Sequence, residues 1–154
     1  MFDTVVIATD GSGSAERAVE AALDLAAHFE ATVHALYVVD SAEVASTPED
    51  VRDALEQGLA TTGGRALTFV REAAESDTAE EVVTAVRDGD PAKEVVAYAR
   101  DHDADVIATG TRGRHGDHGF LLGSVAEEIV RSAPMPVLSV RQLDGEPNDE
   151  LEAF

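Results

Sequence analysis

Five short apolar runs alternate along the chain with longer stretches whose apolar residues recur at helical spacing. Residues 4–9, 32–39, 81–86, 106–109 and 136–140 read as strands. The first is a continuous apolar run bounded by Asp10-Gly11, the pattern of a strand buried on both faces. After it, Ala15, Ala18, Val19, Ala22, Ala26 and Phe29 fall on one helical face that ends near Glu30. Ser12 or Ser14 is placed to cap that helix, with Glu16 in its first turn. Asp90-Pro91 opens another helix, aspartate at the cap and proline first, followed by Ala92, Val95, Val96 and Ala99. A last helix after Gly123-Ser124 carries Val125, Ile129 and Val130. Residues 41–48 read as polar and irregular. Residues 49–75 read as a long helical stretch in which Gly63-Gly64, each about 1 kcal/mol worse than alanine, predict a kink or break.

Strand alternating with helix throughout implies an α/β fold: parallel strands, right-handed crossovers and helices on both faces, a three-layer sandwich. At 154 residues and 44% hydrophobic content the chain suits one domain with a substantial core. In such sheets ligands bind beyond the carboxyl ends of the strands, where the strand order reverses. Asp10-Gly11 follows the first strand, Val38-Val39-Asp40 ends the second, and Gly110 follows the fourth, so all three would meet there.

The third of these segments carries a spaced set of glycines: Gly110, Gly113, and, after nine intervening residues, Gly123 followed by Ser124. Glycines let backbone amides approach an anion, and the helix that follows adds unpaired amides and the positive end of its dipole. A long loop needing turn residues would also use them, and spacing alone does not decide. Charge placement does more. The chain has 31 acidic and 11 basic residues, a formal charge of -20. Yet over residues 106–126 the only acid is Asp117, against Arg112, Arg114, His115 and His118. Arginine suits phosphate because its planar fork donates two bonds at once; pairing with neighbouring acids is the plainer use. His115 and His118 lack an evident third ligand, so no protein-ligated metal is expected.

The remaining composition excludes function classes. There are no cysteines, hence no disulfide, thiolate metal site or cysteine nucleophile. No apolar stretch reaches the length of a membrane span and the start of the chain lacks a basic lead, so a soluble, cytoplasmic protein is expected. Strong acidity argues against nucleic-acid binding. With Lys93 the sole lysine among the basic residues, the composition resembles cytoplasmic proteins of salt-accumulating halophiles. Tyr37 and Tyr98 lie in regular elements and read as packing residues. No catalytic constellation is evident around His28, His34 or His102.

Asp10-Gly11-Ser12 after a first strand, Gly89-Asp90-Pro91 opening a helix, and Gly110-x2-Gly113-x9-Gly123-Ser124 before the last helix together resemble the ATP-binding branch of the universal stress protein family. The resemblance spans residues 1–141, leaving 142–154 as an acidic tail expected to fray. It implies a single Rossmann-like domain of the adenine nucleotide alpha hydrolase-like type, a five-stranded sheet ordered 3-2-1-4-5, and ATP across the reversal between strands one and four. Magnesium would accompany the phosphates. It also implies a homodimer through the fifth strand, which starts at Pro136 and ends at Val140. Asp10 would lie at the ribose or adenine end and the backbone of Val38 at the adenine edge, and Thr9 is included among the nucleotide-binding residues. Gly110 and Gly113 would line the ribose and phosphates, and Thr109 is included among the nucleotide-binding residues. Gly123, Ser124 and Val125 would hold the terminal phosphates. Arg112 and Arg114 join them on charge placement. Asp117, after Gly116, departs from the apolar residue common in the family and is read as facing solvent.

The expected role is a regulatory module that holds ATP, with at most slow hydrolysis, because no Walker-type Gly-Lys-Ser/Thr and no evident base are present. An adenine-nucleotide-dependent transferase and a nucleotide-independent dimeric interaction protein are the competing readings.

Overall fold

A computed structural model describes residues 2–76, 81–111 and 122–141 of the chain. Eleven of its segments are regular. In order they are β1 (Thr4–Ala8), a 3-10 turn (Gly13–Ala15), α1 (Glu16–Phe29), β2 (Thr32–Asp40), α2 (Ser41–Ala45), α3 (Glu49–Ser76), β3 (Val82–Gly89), α4 (Pro91–Asp101), β4 (Val106–Gly110), α5 (Ser124–Ser132) and β5 (Val137–Val140). The sheet is ordered β3-β2-β1-β4-β5 and every neighbouring pair is parallel. The parallel pairing is what the alternation implies, and the order is the one the family resemblance implies.

The period of two along each strand divides the core. Val5, Ile7, Val33 and Tyr37 face α1 and α3, meeting Val19, Leu23 and Val70. Val6, Leu36 and Ile107 face α4 and α5, meeting Val95, Tyr98 and Ile129. Val5, Val6 and Ile7 are fully buried in succession, which explains why the first strand reads as an unbroken apolar run. Tyr37 and Tyr98 are both core residues.

Three local expectations are corrected. The first helix begins later than Ser12: the chain makes the 3-10 turn first, Ala15 occupies the cap of α1, and the Ser12 hydroxyl donates to Asp10 at 2.6 Å. Residues 41–45 are helical because Asp40 accepts from the amides of Ala42 and Glu43, a side-chain cap that a strand-ending aspartate conceals in the sequence. Finally, α3 runs unbroken through Gly63 and Gly64. A Cβ at Gly63 would overlap the Tyr37 ring, so the missing side chain permits close approach of helix to sheet. By contrast, Asp90 caps α4 as its sequence predicts, accepting from the Lys93 amide at 3.1 Å with Pro91 at the first helical position. The acidic tail lies outside the described residues. No helix among those described is long and apolar enough to cross a membrane.

Candidate functional site

The strand order reverses between β1 and β4, and the two strands run side by side only as far as Ala8↔Thr109. Beyond that rung β1 leaves the sheet. The Thr9 amide still bonds the Leu36 carbonyl at 3.0 Å, its hydroxyl accepts from the Gly11 amide at 3.3 Å, and then the chain turns away. Asp10 drives the turn by accepting at Oδ1 from the Ser12 amide, 2.9 Å, as well as its hydroxyl. This is the local turn role open to an Asp-Gly pair, and among the described residues its bonds fall on one of the two carboxylate oxygens. Gly11 adopts φ +79°, and a Cβ there would press on Thr62 of α3.

β2 does not turn with β1. Its last rung with β1 is Ala8↔Leu36, while its rungs with β3 continue through Val38↔Arg87 to Asp40↔Gly89. Amide and carbonyl of one strand residue point to the same neighbour, and the direction alternates. Leu36 faces β1, since its carbonyl accepts from Thr9, so Val38 directs its own amide and carbonyl to the same side, one step past the end of β1. There they border the crevice. The pair offers a donor and an acceptor side by side, the pattern a planar heterocycle edge matches.

On the other side of the crevice Thr109 and Gly110 finish β4, and both are buried. The Thr109 hydroxyl donates to the Gly110 carbonyl at 3.2 Å. Thr111, also buried, donates its amide to Val140 and accepts at its carbonyl from the amide of Gly123. That last bond closes the two described ends of the glycine-rich connection onto each other. Thr111 was not singled out in the sequence, where it reads as one more polar residue after a strand; its burial at 7% exposure is a tertiary fact. Ser139, which lies opposite Thr109 in β5, has a buried hydroxyl with no hydrogen-bond partner among the described residues.

Gly123 is the cap of α5 in extended conformation, without a side-chain cap. The first amide to bond within the helix is that of Glu127, to the Gly123 carbonyl at 2.9 Å. The amides of Ser124, Val125 and Ala126 therefore open toward the helix start, with the positive end of the helix dipole behind them. Ser124 and Val125 are exposed. Glu127 stands in the same turn, but its carboxylate is 2.6 Å from Arg131.

Of the residues assigned from sequence, Thr9, Asp10, Thr109 and Gly110 gather at the ends of β1 and β4, Val38 borders the same crevice from β2, and Gly123, Ser124 and Val125 form the start of α5. Arg112, Gly113 and Arg114, with His115, Gly116, Asp117 and His118, lie outside the described residues. No group of three or more His, Asp or Glu that could hold a metal occurs among those described.

The universal stress protein family matches this chain over residues 1–141. The chain belongs to that family. It is 36% identical over 143 residues to a universal stress protein of Methanocaldococcus jannaschii, covering 92% of this chain and 84% of that one. Among solved structures, UspA from Lactobacillus plantarum matches with a TM-score of 0.78 at 26% identity, over 91% of this chain and 98% of its own. A universal stress protein in complex with cAMP matches with a TM-score of 0.72 at 28% identity, over 92% and 99% of the two chains.

Proposed function

We propose that this universal stress protein is a regulatory module that binds ATP, with magnesium carried on the phosphates, in the crevice between β1 and β4. The observation that carries the reading is the edge of Val38: one amide and one carbonyl turned into the crevice beyond the last β1 rung. A purine edge pairs with such a backbone edge without needing any particular side chain. The start of α5 supplies three amides and a dipole for an anion, and the cAMP complex of a structural relative supports an adenine nucleotide as the ligand class. Asp10 and the two threonines stand between the ends where a ribose would lie. The physical task is holding, and the bound nucleotide serves as the signal; a second copy of the chain, joined through β5, completes the regulatory unit.

Calorimetry with magnesium-ATP in molar potassium chloride tests the site. Gly123→Val places a branched side chain at the uncapped start of α5, and ATP affinity is expected to fall at least about tenfold while adenosine affinity falls much less. Equal ATP affinity in the two chains, or none in the parent, overturns the assignment. Sustained turnover above roughly 1 per second would replace the holding role with an enzymatic one.

A further inference from the structure

Toward the amino ends of the strands, a polar contact that nucleotide binding does not use joins β2 to α4. His34 of β2 sits in register with Val6 of β1 and Val83 of β3. Its Nδ1 lies 2.7 Å from the Tyr98 hydroxyl of α4. His102, at the C-terminal end of α4, stacks on the Tyr98 ring with centroids 3.9 Å apart and planes 24° apart, and its ring centroid is 4.9 Å from that of His34. The guanidinium of Arg87 lies 4.9 Å from the centroid of the same phenol ring.

Proton positions follow from the partners. His102 Nδ1 is 2.9 Å from the Tyr98 carbonyl, which can only accept, so Nδ1 carries the proton. Burial raises the Tyr98 pKa, against the pull of Arg87. Burial, and after it the charge of His102, hold His34 below the ordinary histidine range, with Glu81 pulling weakly the other way. Among the described residues, the charged groups facing the cluster are Arg87 of β3, Glu81 just before it, and Glu94 and Asp101 of α4; β1 contributes apolar Val6. Glu94 and Asp101 are already engaged with Arg87, at 3.9 and 3.8 Å.

We propose that His34, Tyr98 and His102 form a proton-sensitive latch between α4 and the sheet. It is closed while His34 is neutral and loosens when its imidazolium joins the Arg87 guanidinium around one phenol. His34 has a lower pKa folded than unfolded, so below its unfolded value of about 6.5 the unfolded chain binds more protons. Stability is full above that value and is lost as pH falls from it toward the folded pKa. The net charge of -20 acts in the opposite sense, because each added proton relieves repulsion. A loss on mild acidification is therefore the mark of a group that resists its proton.

The test uses the full chain in about 2 M potassium chloride, which screens the surface charge. Histidine NMR titration is expected to place the His34 midpoint below about 6.5 and to move it upward in His102→Gln. Amide exchange along α4, corrected for its intrinsic pH dependence, is expected to accelerate about tenfold relative to α1 between about pH 7.5 and 5.5. In His34→Gln the side-chain amide can still meet the Tyr98 hydroxyl but takes no proton, and the acceleration should vanish. A His34 midpoint at the ordinary value and unmoved by His102→Gln overturns the latch. So does an unchanged pH course of α4 exchange in His34→Gln. Should that variant not fold, the titration in the parent and in His102→Gln decides.

Discussion

Gly63 and Gly64 are adjacent in sequence and differ in what a methyl group would meet. At Gly64 nothing lies within 4 Å, whereas at Gly63 the Tyr37 ring occupies the space. Alanine is the better helix former by about 0.8–1 kcal/mol, so Gly64→Ala should stabilise the domain by about that amount. Gly63→Ala should destabilise it by about 1–3 kcal/mol, since Tyr37 is 1% exposed and has no room to shift. Urea unfolding of the two variants checks the opposite signs; two gains would show that α3 does not rest on Tyr37. The sequence displays the glycine pair but not its partner ring, so it reads as a break where the structure has a contact. Asp10 shows the same limit. Its position after β1 is legible from the Asp-Gly turn, yet only the fold shows one carboxylate oxygen committed to Ser12.

At the scale of elements, strand length decides where the site opens. β1 has 5 residues and β2 has 9, and the excess of β2 exposes the edge at Val38. β5 raises a different question, because as the last strand it leaves one row of backbone groups unpaired by the sheet. Thr111 bonds the Val140 carbonyl and Ile107 bonds the Pro136 carbonyl, so the even-numbered residues of β5 face β4 and Ser139 turns its amide outward. Ser139→Pro removes an outward donor while sparing the ladder to β4. If the proposed dimer forms through β5, light scattering should show that variant as a monomer at concentrations where the parent is dimeric. A parent that is itself monomeric, or an unaffected dimer, would exclude that edge. Both end strands were legible in the sequence to within a few residues. α2 was not, because Asp40 serves as both strand end and helix cap.

For the whole molecule, the formal charge of -20 is a property of every acidic surface residue at once. Raising potassium chloride from about 0.1 to 2 M shortens the screening length from roughly 10 Å to below 3 Å. The melting temperature should rise, by about 3 °C for each kcal/mol of relieved repulsion in a domain of this size. A melting temperature that is flat or falls with salt would show that self-repulsion is not a principal load on the fold.

Much of this protein was determined by sequence alone. Local patterns set the five strands, four of the five helices, the cap at Asp90 and the glycine set with its basic neighbours, because hydrophobic period, turn chemistry and charge act between residues close along the chain. The strand order agrees with the family resemblance, and the matched family spans residues 1–141. Tertiary structure alone decided the continuity of α3 across Tyr37, the closure of Thr111 on Gly123, the open edge of Val38 and the gathering of His34, Tyr98 and His102. Each of these joins residues far apart in sequence. Their chemistry depends on which groups the folded chain leaves facing one another, and no local pattern records that.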